Sequence, residues 1–319
     1  MTAPPPDIRI QEVAPRDGLQ IEAKWVETNE KIRLINSLSA IGFDRIEVSS
    51  FVSPAAVPSL RDAADVFAGI ERRPGSVYTA LIPNRKGAEL ALAARADELN
   101  FVMSASETHN RANMNMTHAR SLASLSDIVK PAHAGGASVN ATVATAFGCP
   151  FEGVQPFEKV CDIVKRYLDL GADGVTLADT TGMANPNQVS QLVAEALMLV
   201  PADMLTLHFH NTRGLGLVNV LAAYDIGARR FDAALGGLGG CPFAPGATGN
   251  VCTEDLVNLC HETGLRTGLD LQCLIDLSFR LPGLVGHEVP GQVAKAGRPL
   301  DLHPIRSGCD ARVERSQSN

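Results

Sequence analysis

Nothing in this chain of 319 residues reaches the run of about 18 apolar residues that a membrane-spanning helix needs. No membrane span is therefore expected. An excess of cations is missing too: 28 Lys and Arg stand against 35 Asp and Glu, a net charge of -7, which gives nucleic acid no case as a partner. The seven cysteines are odd in number and have no C-x-x-C spacing. A disulfide framework and a zinc ribbon are thus not indicated, and reduced thiols in a cytoplasmic setting fit. The opening Met1-Thr-Ala-Pro-Pro-Pro-Asp7 has neither the basic nor the apolar region of a secretory signal. Disorder is not signalled either, since 45% of residues are hydrophobic and 20% charged, the usage of a globular protein. Ala311–Asn319, mostly polar, reads as a frayed tail.

What is present is an alternation of β-like and helix-like runs. Strand candidates are Asp7–Ala14, Arg45–Ser49, Val77–Ile82, Glu98–Met103, Ser138–Thr145, Gly174–Ala178, Leu205–His210 and Arg229–Leu235. Between them lie helical stripes: Ile32, Ile35 and Leu38; Val160, Cys161, Val164 and Leu168; Val189, Leu192, Val193, Ala196, Leu197 and Val200. Asn185 and Pro186 suit the N-cap and first helical positions of the last of these. Thr253 reads as the cap of a later helix whose first turn carries Glu254 and Asp255.

Such alternation implies a parallel sheet with crossovers. Eight units in about 260 residues match a (β/α)8 TIM barrel. The rival, a doubly wound sheet, calls for a glycine fingerprint after the first strand. Arg16-Asp17-Gly18-Leu19-Gln20 stands there instead. The expectation is one catalytic domain: a barrel over about 7–263, then a helical extension and tail over 264–319. The one internal echo is Gly-Cys-Pro-Phe at 148–151 and 240–243.

In a barrel of this kind chemistry gathers where strands end. Arg16 and Asp17 follow the first strand, Glu47 lies near the end of the second, and Asp179 follows the sixth. The seventh ends in Leu205-Thr-Leu-His208-Phe-His210, where alternation sets Thr206, His208 and His210 on one face. Two imidazoles about 7 Å apart along a strand can converge on one cation or stand as structural histidines. Asp17 is either a third ligand or a turn residue before Gly18. Glu47 is either an ion-paired carboxylate in the barrel mouth or a group that orients Arg16 or a ligand. The eighth strand leads into Gly236–Asn250, with six glycines and two prolines in fifteen residues, a composition suited to a mobile lid. Asn250 offers a neutral carbonyl oxygen to a metal. Cys241, on that lid, reads as reactive by position, whereas Cys149 in the parallel turn is equally well structural. Asp17, His208 and His210 mix oxygen and nitrogen donors in the way Mg, Mn, Co or Zn accept.

Ala14-Pro15-Arg16-Asp17-Gly18-Leu19-Gln20, Ser49-Ser50-Phe51-Val52-Ser53-Pro54, Asp179-Thr180, His208-x-His210 and Gly237-Leu-Gly-Gly-Cys241-Pro-Phe-Ala-x-Gly-Ala-x-Gly-Asn250-x-x-Thr-Glu-Asp255 together resemble the 3-hydroxy-3-methylglutaryl-CoA lyase family. That family belongs to the wider group of barrel metallolyases and Claisen-condensing synthases. The resemblance implies divalent-metal-dependent cleavage of a 3-hydroxyacyl-CoA to acetyl-CoA and a keto acid such as acetoacetate. The setting would be leucine degradation or ketone-body formation. It implies Asp17, His208, His210 and Asn250 as metal ligands, with Mg or Mn ahead of Zn or Co. Arg16 would stabilise the enolate, Glu47 and Asp179 would be catalytic or supporting carboxylates, and Cys241 a loop thiol in proton transfer. A homo-oligomer, a dimer or higher, is implied as well. The alternatives are lyases for citramalyl-CoA or a longer 3-hydroxyglutaryl-CoA, and then a condensing synthase of the isopropylmalate or homocitrate type. Against that synthase stands the long C-terminal extension such enzymes carry. Departures fall at Gln20-Ile21-Glu22, where the family reads Gln-Asn-Glu, at Ala23 in place of a lysine, and at Asn211-Thr212-Arg213-Gly214, where it reads Asp-Thr-Tyr-Gly. These leave the acyl group open. Arg213 is either an added carboxylate or phosphate contact or a solvated arginine at a helix start.

Overall fold

The computed structural model describes residues 6–240 and 249–302. Eight parallel strands close on themselves: β1 (Arg9–Glu12), β2 (Arg45–Ser50), β3 (Val77–Ile82), β4 (Glu98–Ser104), β5 (Ser138–Ala144), β6 (Gly174–Asp179), β7 (Leu205–Phe209) and β8 (Arg230–Ala233). Each pairs with its sequence neighbours, and β1 closes the ring against β8 with Arg9 opposite Arg230 and Glu12 opposite Ala233. The expected TIM barrel is the fold. The strands are buried on both faces, as every residue of β7 is, because helices cover the outside and side chains fill the inside.

The helices alternate with the strands. They are α1 (Thr28–Ile41), α2 (Ala63–Gly69), α3 (Arg85–Ala93), α4 (Glu107–Met114), α5 (His118–Ala134), α6 (Phe157–Asp169), α7 (Pro186–Leu197), α8 (Gly216–Ile226) and α9 (Thr253–Glu262). Apolar stripes became buried faces: Val189, Leu192, Val193 and Ala196 on α7, and Val160, Cys161 and Val164 on α6. Asn185 caps α7 through the Gln188 amide, and Gln188 answers with its own side chain, a reciprocal cap.

Three local readings needed correction. The first strand ends at Glu12, not Ala14, because the amides of Arg16, Asp17 and Gly18 all turn back on the Val13 carbonyl (3.1, 2.8 and 3.2 Å). The eighth ends at Ala233, since Gly236 at φ 68° turns the chain away. Thr253 is not the cap of α9. Cys252 holds that position, and the Thr253 hydroxyl donates instead to Glu12 Oε2 (2.8 Å). The first Gly-Cys-Pro-Phe turn opens a small antiparallel ribbon, Gly148–Cys149 with Gly153–Val154. Residues 241–243 of its echo and the tail Ala311–Asn319 lie outside the described residues.

Past α9 come α10 (Leu271–Ser278), α11 (Leu281–Val285) and α12 (Val293–Ala296). They back the root of the glycine-rich segment. The Ser278 hydroxyl donates to Glu254 Oε1 (2.6 Å), Glu254 Oε2 accepts from the Gly236 amide (3.0 Å), and the Gly291 amide donates to the Gly236 carbonyl (3.0 Å).

Candidate active site

The wide turn over Ala14–Gly18 sets Arg16 and Asp17 over the mouth of the barrel, at the C-terminal ends of the strands. It packs tightly: a Cβ added to Gly18 would lie 2.9 Å from Leu238 Cβ. Asp17 Oδ2 faces the Nε2 atoms of His208 (4.0 Å) and His210 (3.9 Å). Ligand atoms of the three side chains all lie within 4.8 Å of one another. These separations exceed hydrogen bonds. They suit groups that each stand about 2 Å from one shared ion.

Asn250 arrives from the far side of the glycine-rich segment. It is carried there by backbone pairing with the end of β7: the Asn211 amide to the Gly249 carbonyl (3.1 Å), and the Val251 amide to the Phe209 carbonyl (3.1 Å). His210 and Asn250 form a bridge pair. Gly249 is obligatory at this crossing, since a Cβ there would come within 2.0 Å of the Gly237 carbonyl oxygen. Asn250 Nδ2 donates to Asp17 Oδ2 (2.7 Å) and to the Leu238 carbonyl (2.9 Å). Its Oδ1 is buried and has no hydrogen-bond partner among the described residues. His210 Nδ1 is in the same condition. Buried polar atoms rarely stay unpaired without a reason. A divalent cation fits the donor set.

Electrostatics agree with that fit. Burial raises the Asp17 carboxyl, but Arg16 and the two imidazoles outweigh it and hold its pKa at about 2. Burial and His208 push His210 down to about 3, so it is neutral and able to bind through a ring nitrogen. Burial lowers His208 as well, but Asp232 reverses the direction and raises it. His208 Nδ1 stands 3.1 Å from Asp232 Oδ2. A carboxylate accepts, so Nδ1 carries the proton and Nε2 is left to face Asp17.

Arg16 is buried between two carboxylates: Nε donates to Glu47 Oε2 (2.5 Å) and Nη1 to Asp17 Oδ1 (2.6 Å). Its Nη2 makes no hydrogen bond among the described residues. Glu47 is aimed inward at a bulge of β2, where Val48 is the extra residue between the pairs Glu47–Thr79 and Ser49–Ala80. Asn100 Nδ2 occupies its other oxygen (2.9 Å). Asp179, the last residue of β6, accepts from the Met183 amide through Oδ1 (2.7 Å). Its Oδ2 is buried without a hydrogen-bond partner among the described residues. Burial raises this carboxyl to about 6, against the pull of the Met183 and Ala184 amides and of His208.

Seven of the eight expected site residues thus meet at one rim. The eighth, Cys241, lies outside the described residues. Cys149 is buried, with its thiol 3.0 Å from Ser106 Oγ and the Phe151 amide 3.3 Å from its sulfur. Arg213 is exposed, and its Nη1 donates to the carbonyls of Thr181 (3.1 Å) and Gly182 (2.6 Å). It ties the segment after β7 to the one after β6. Asp232, Asn100 and Glu12 were missed from sequence. A carboxylate inside a strand reading as barrel interior was the available signal for Asp232, because burying a charge demands a partner.

Comparison with known proteins leads to the same rim. A family profile described as HMGL-like matches residues 7–279. The hydroxymethylglutaryl-CoA lyase YngG of Bacillus subtilis is 41% identical over 288 residues, 90% of this chain and 96% of its own length. The (R)-citramalyl-CoA lyase of Chloroflexus aurantiacus is 42% identical over 300 residues, 91% of this chain and 95% of its own. A solved HMG-CoA lyase of Acinetobacter baumannii, in complex with coenzyme A and 3-methylmalate, superposes with a TM-score of 0.91. It is 61% identical, covering 93% of this chain and 97% of that one. No described helix is long and apolar enough to cross a membrane. With a profile spanning most of its length and relatives matched end to end, the chain belongs to the HMG-CoA lyase family.

Proposed function

We propose that this chain is a divalent-metal-dependent carbon–carbon lyase that cleaves 3-hydroxy-3-methylglutaryl-CoA, or a close 3-hydroxyacyl-CoA, to acetyl-CoA and a keto acid such as acetoacetate. The observation that carries this reading is Asp17, His208 and His210 converging beside Arg16. Asp17, His208, His210 and the unpaired Oδ1 of Asn250 would hold the ion, Mg or Mn ahead of Zn or Co. Bound there, it supplies Lewis acidity and orients a substrate hydroxyl and its neighbouring oxygen.

The chain's own groups do the rest. Cleavage beside a thioester leaves an enolate, and Nη2 of Arg16, without a hydrogen-bond partner among the described residues, is a permanently charged donor for that oxygen. Asp179 has one unoccupied oxygen and a pKa of about 6. It is therefore the base for the tertiary hydroxyl proton, poised near the working pH. Asp232 holds His208 in the tautomer that faces Asp17. Cys241, as the donor that reprotonates the acetyl carbon, completes the reading. The catalytic unit is the barrel over about 7–263 with the helical extension and tail over 264–319. A cytoplasmic homo-oligomer is its form.

The Chloroflexus relative favours a second substrate, citramalyl-CoA. Acetyl-CoA release from 3-hydroxy-3-methylglutaryl-CoA, citramalyl-CoA and longer 3-hydroxyglutaryl-CoA esters separates the two. Cleavage of none of them overturns the proposal. Exhaustive chelation should abolish release, and Mg or Mn should restore it. Full activity after chelation removes the metal from the reading.

A further inference from the structure

We propose that Asn100 is a positioning residue that keeps Arg16 open toward substrate by occupying one oxygen of Glu47. This rests on the role given to Arg16 above. The reasoning starts from a group that can only donate. Arg16 Nε donates to Glu47 Oε2, and Glu47 as the carboxylate paired with that guanidinium offers only acceptors, so the group at its other oxygen donates. That fixes the Asn100 amide with Nδ2 toward Glu47 Oε1 (2.9 Å). Its Oδ1 then accepts from Thr142 Oγ1 (2.8 Å) and Asn140 Nδ2 (3.1 Å). Asn140 spends its second amide hydrogen on Thr176 Oγ1 (2.9 Å). One proton arrangement runs from β2 through β4 and β5 to β6, and all its members are buried. A reversed Asn100 amide would set oxygen against carboxylate and nitrogen against nitrogen, so the network holds it in one orientation.

The consequence falls on Arg16. Carboxylates and guanidinium groups prefer a two-point fork that uses both oxygens and two nitrogens. Here the Asn100 amide holds Oε1 toward β4, and Glu47 takes Arg16 through Nε alone. Nη1 goes to Asp17. Nη2 has no hydrogen-bond partner among the described residues and is left as the donor for an enolate oxygen. Without the Asn100 amide, Glu47 is free to rotate and take Nε and Nη2 together, which withdraws the donor from substrate while leaving ligands and binding surface in place.

Three measurements test this. Asn100→Ala should lower kcat about 10- to 100-fold, below the 10²–10³-fold scale of losing an oxyanion donor outright, with KM for the cleaved ester within about threefold. In a Glu47→Ala background the same change should cost nothing further, because Asn100 acts through Glu47. A crystal structure of Asn100→Ala should show Glu47 forked onto Nε and Nη2 of Arg16. Should that variant not fold, Asn140→Ala removes one of the two donors that orient Asn100 and should give a smaller loss in kcat with the same KM. A loss confined to KM, losses that multiply in the double variant, or an unmoved Arg16–Glu47 pair overturns the proposal. The crystal structure decides even if wild-type protein cleaves no ester in the panel, an outcome that counts against the lyase reading instead.

Discussion

Glu12 and Asp179 are both the last residue of a barrel strand, both carboxylates and both fully buried, yet the fold uses them in opposite ways. Glu12 is saturated. Oε1 accepts from the amides of Ala14 (2.8 Å) and Leu235 (2.9 Å), and Oε2 accepts from Thr253 Oγ1 (2.8 Å). It thereby joins the turn that carries Asp17, the entrance to the glycine-rich segment and the helix that follows its exit. Asp179 is half used: the Met183 amide takes Oδ1 and Oδ2 is bare. A buried carboxyl whose two oxygens both accept from fixed groups of the fold is placed to hold. One with a free oxygen can take a proton from something that enters. Asp232 Oδ1, Asn250 Oδ1 and His210 Nδ1 likewise have no hydrogen-bond partner among the described residues, whereas both oxygens of Glu12 and of Glu254 at the loop root accept hydrogen bonds.

Isosteric exchange at the two positions is the sharpest way to break this contrast. Asp179→Asn should lower kcat by about 10²–10⁴, the span of general acid–base catalysis, without loss of Tm. Glu12→Gln keeps both amides on its oxygen and can donate from its nitrogen to a turned Thr253 hydroxyl, so it should change kcat less than a few-fold. Similar losses at both positions would end the distinction between holding and reacting carboxylates. Arg16→Gln should follow, with kcat down on the order of 10³-fold. A change confined to KM would make Arg16 a binding group. Smaller again, Asp232→Asn should weaken metal affinity by about 10- to 100-fold, the usual cost of losing the partner behind a histidine ligand. This is read by titrating the apoprotein with Mn and following metal binding directly. Unchanged affinity would make Asp232 another filled, structural carboxylate.

How much of this could be read beforehand follows the range of each interaction. The barrel was legible because strand and helix periodicity are local, and so was Asn185, whose capping partner Gln188 is three residues on. His208-x-His210 was legible because alternation puts both rings on one face, and Asp17 because its turn is written in adjacent residues. Thr253 was misread because its hydroxyl is claimed by Glu12, 241 residues away in sequence, and a remote carboxylate outcompeted the local cap. Asp232 and Asn100 were missed for the same reason. Each matters through a partner on another strand, His208 or Glu47, and closure of the ring decides which strands meet. Arg213 could be seen as a departure, but its carbonyl partners at Thr181 and Gly182 lie on a different loop.

The smallest expected effect sharpens the contrast from the side of stability. Burial lifts Glu12 from 4.5 to about 8, against the pull of its three donors. A carboxyl with a raised folded-state pKa keeps its proton in the native protein after the unfolded chain has released it. Its contribution to stability is therefore complete below about pH 4.5 and is lost as pH rises toward 8. Wild-type Tm should carry a downward slope across that window from this group, and Glu12→Gln, which cannot ionise, should flatten it by a few degrees at the alkaline end while leaving turnover alone. The comparison of the two Tm-versus-pH curves isolates Glu12 because every other titrating group is shared. Superimposable slopes would mean that the three donors keep Glu12 charged throughout, and that it holds the loop root as an anion.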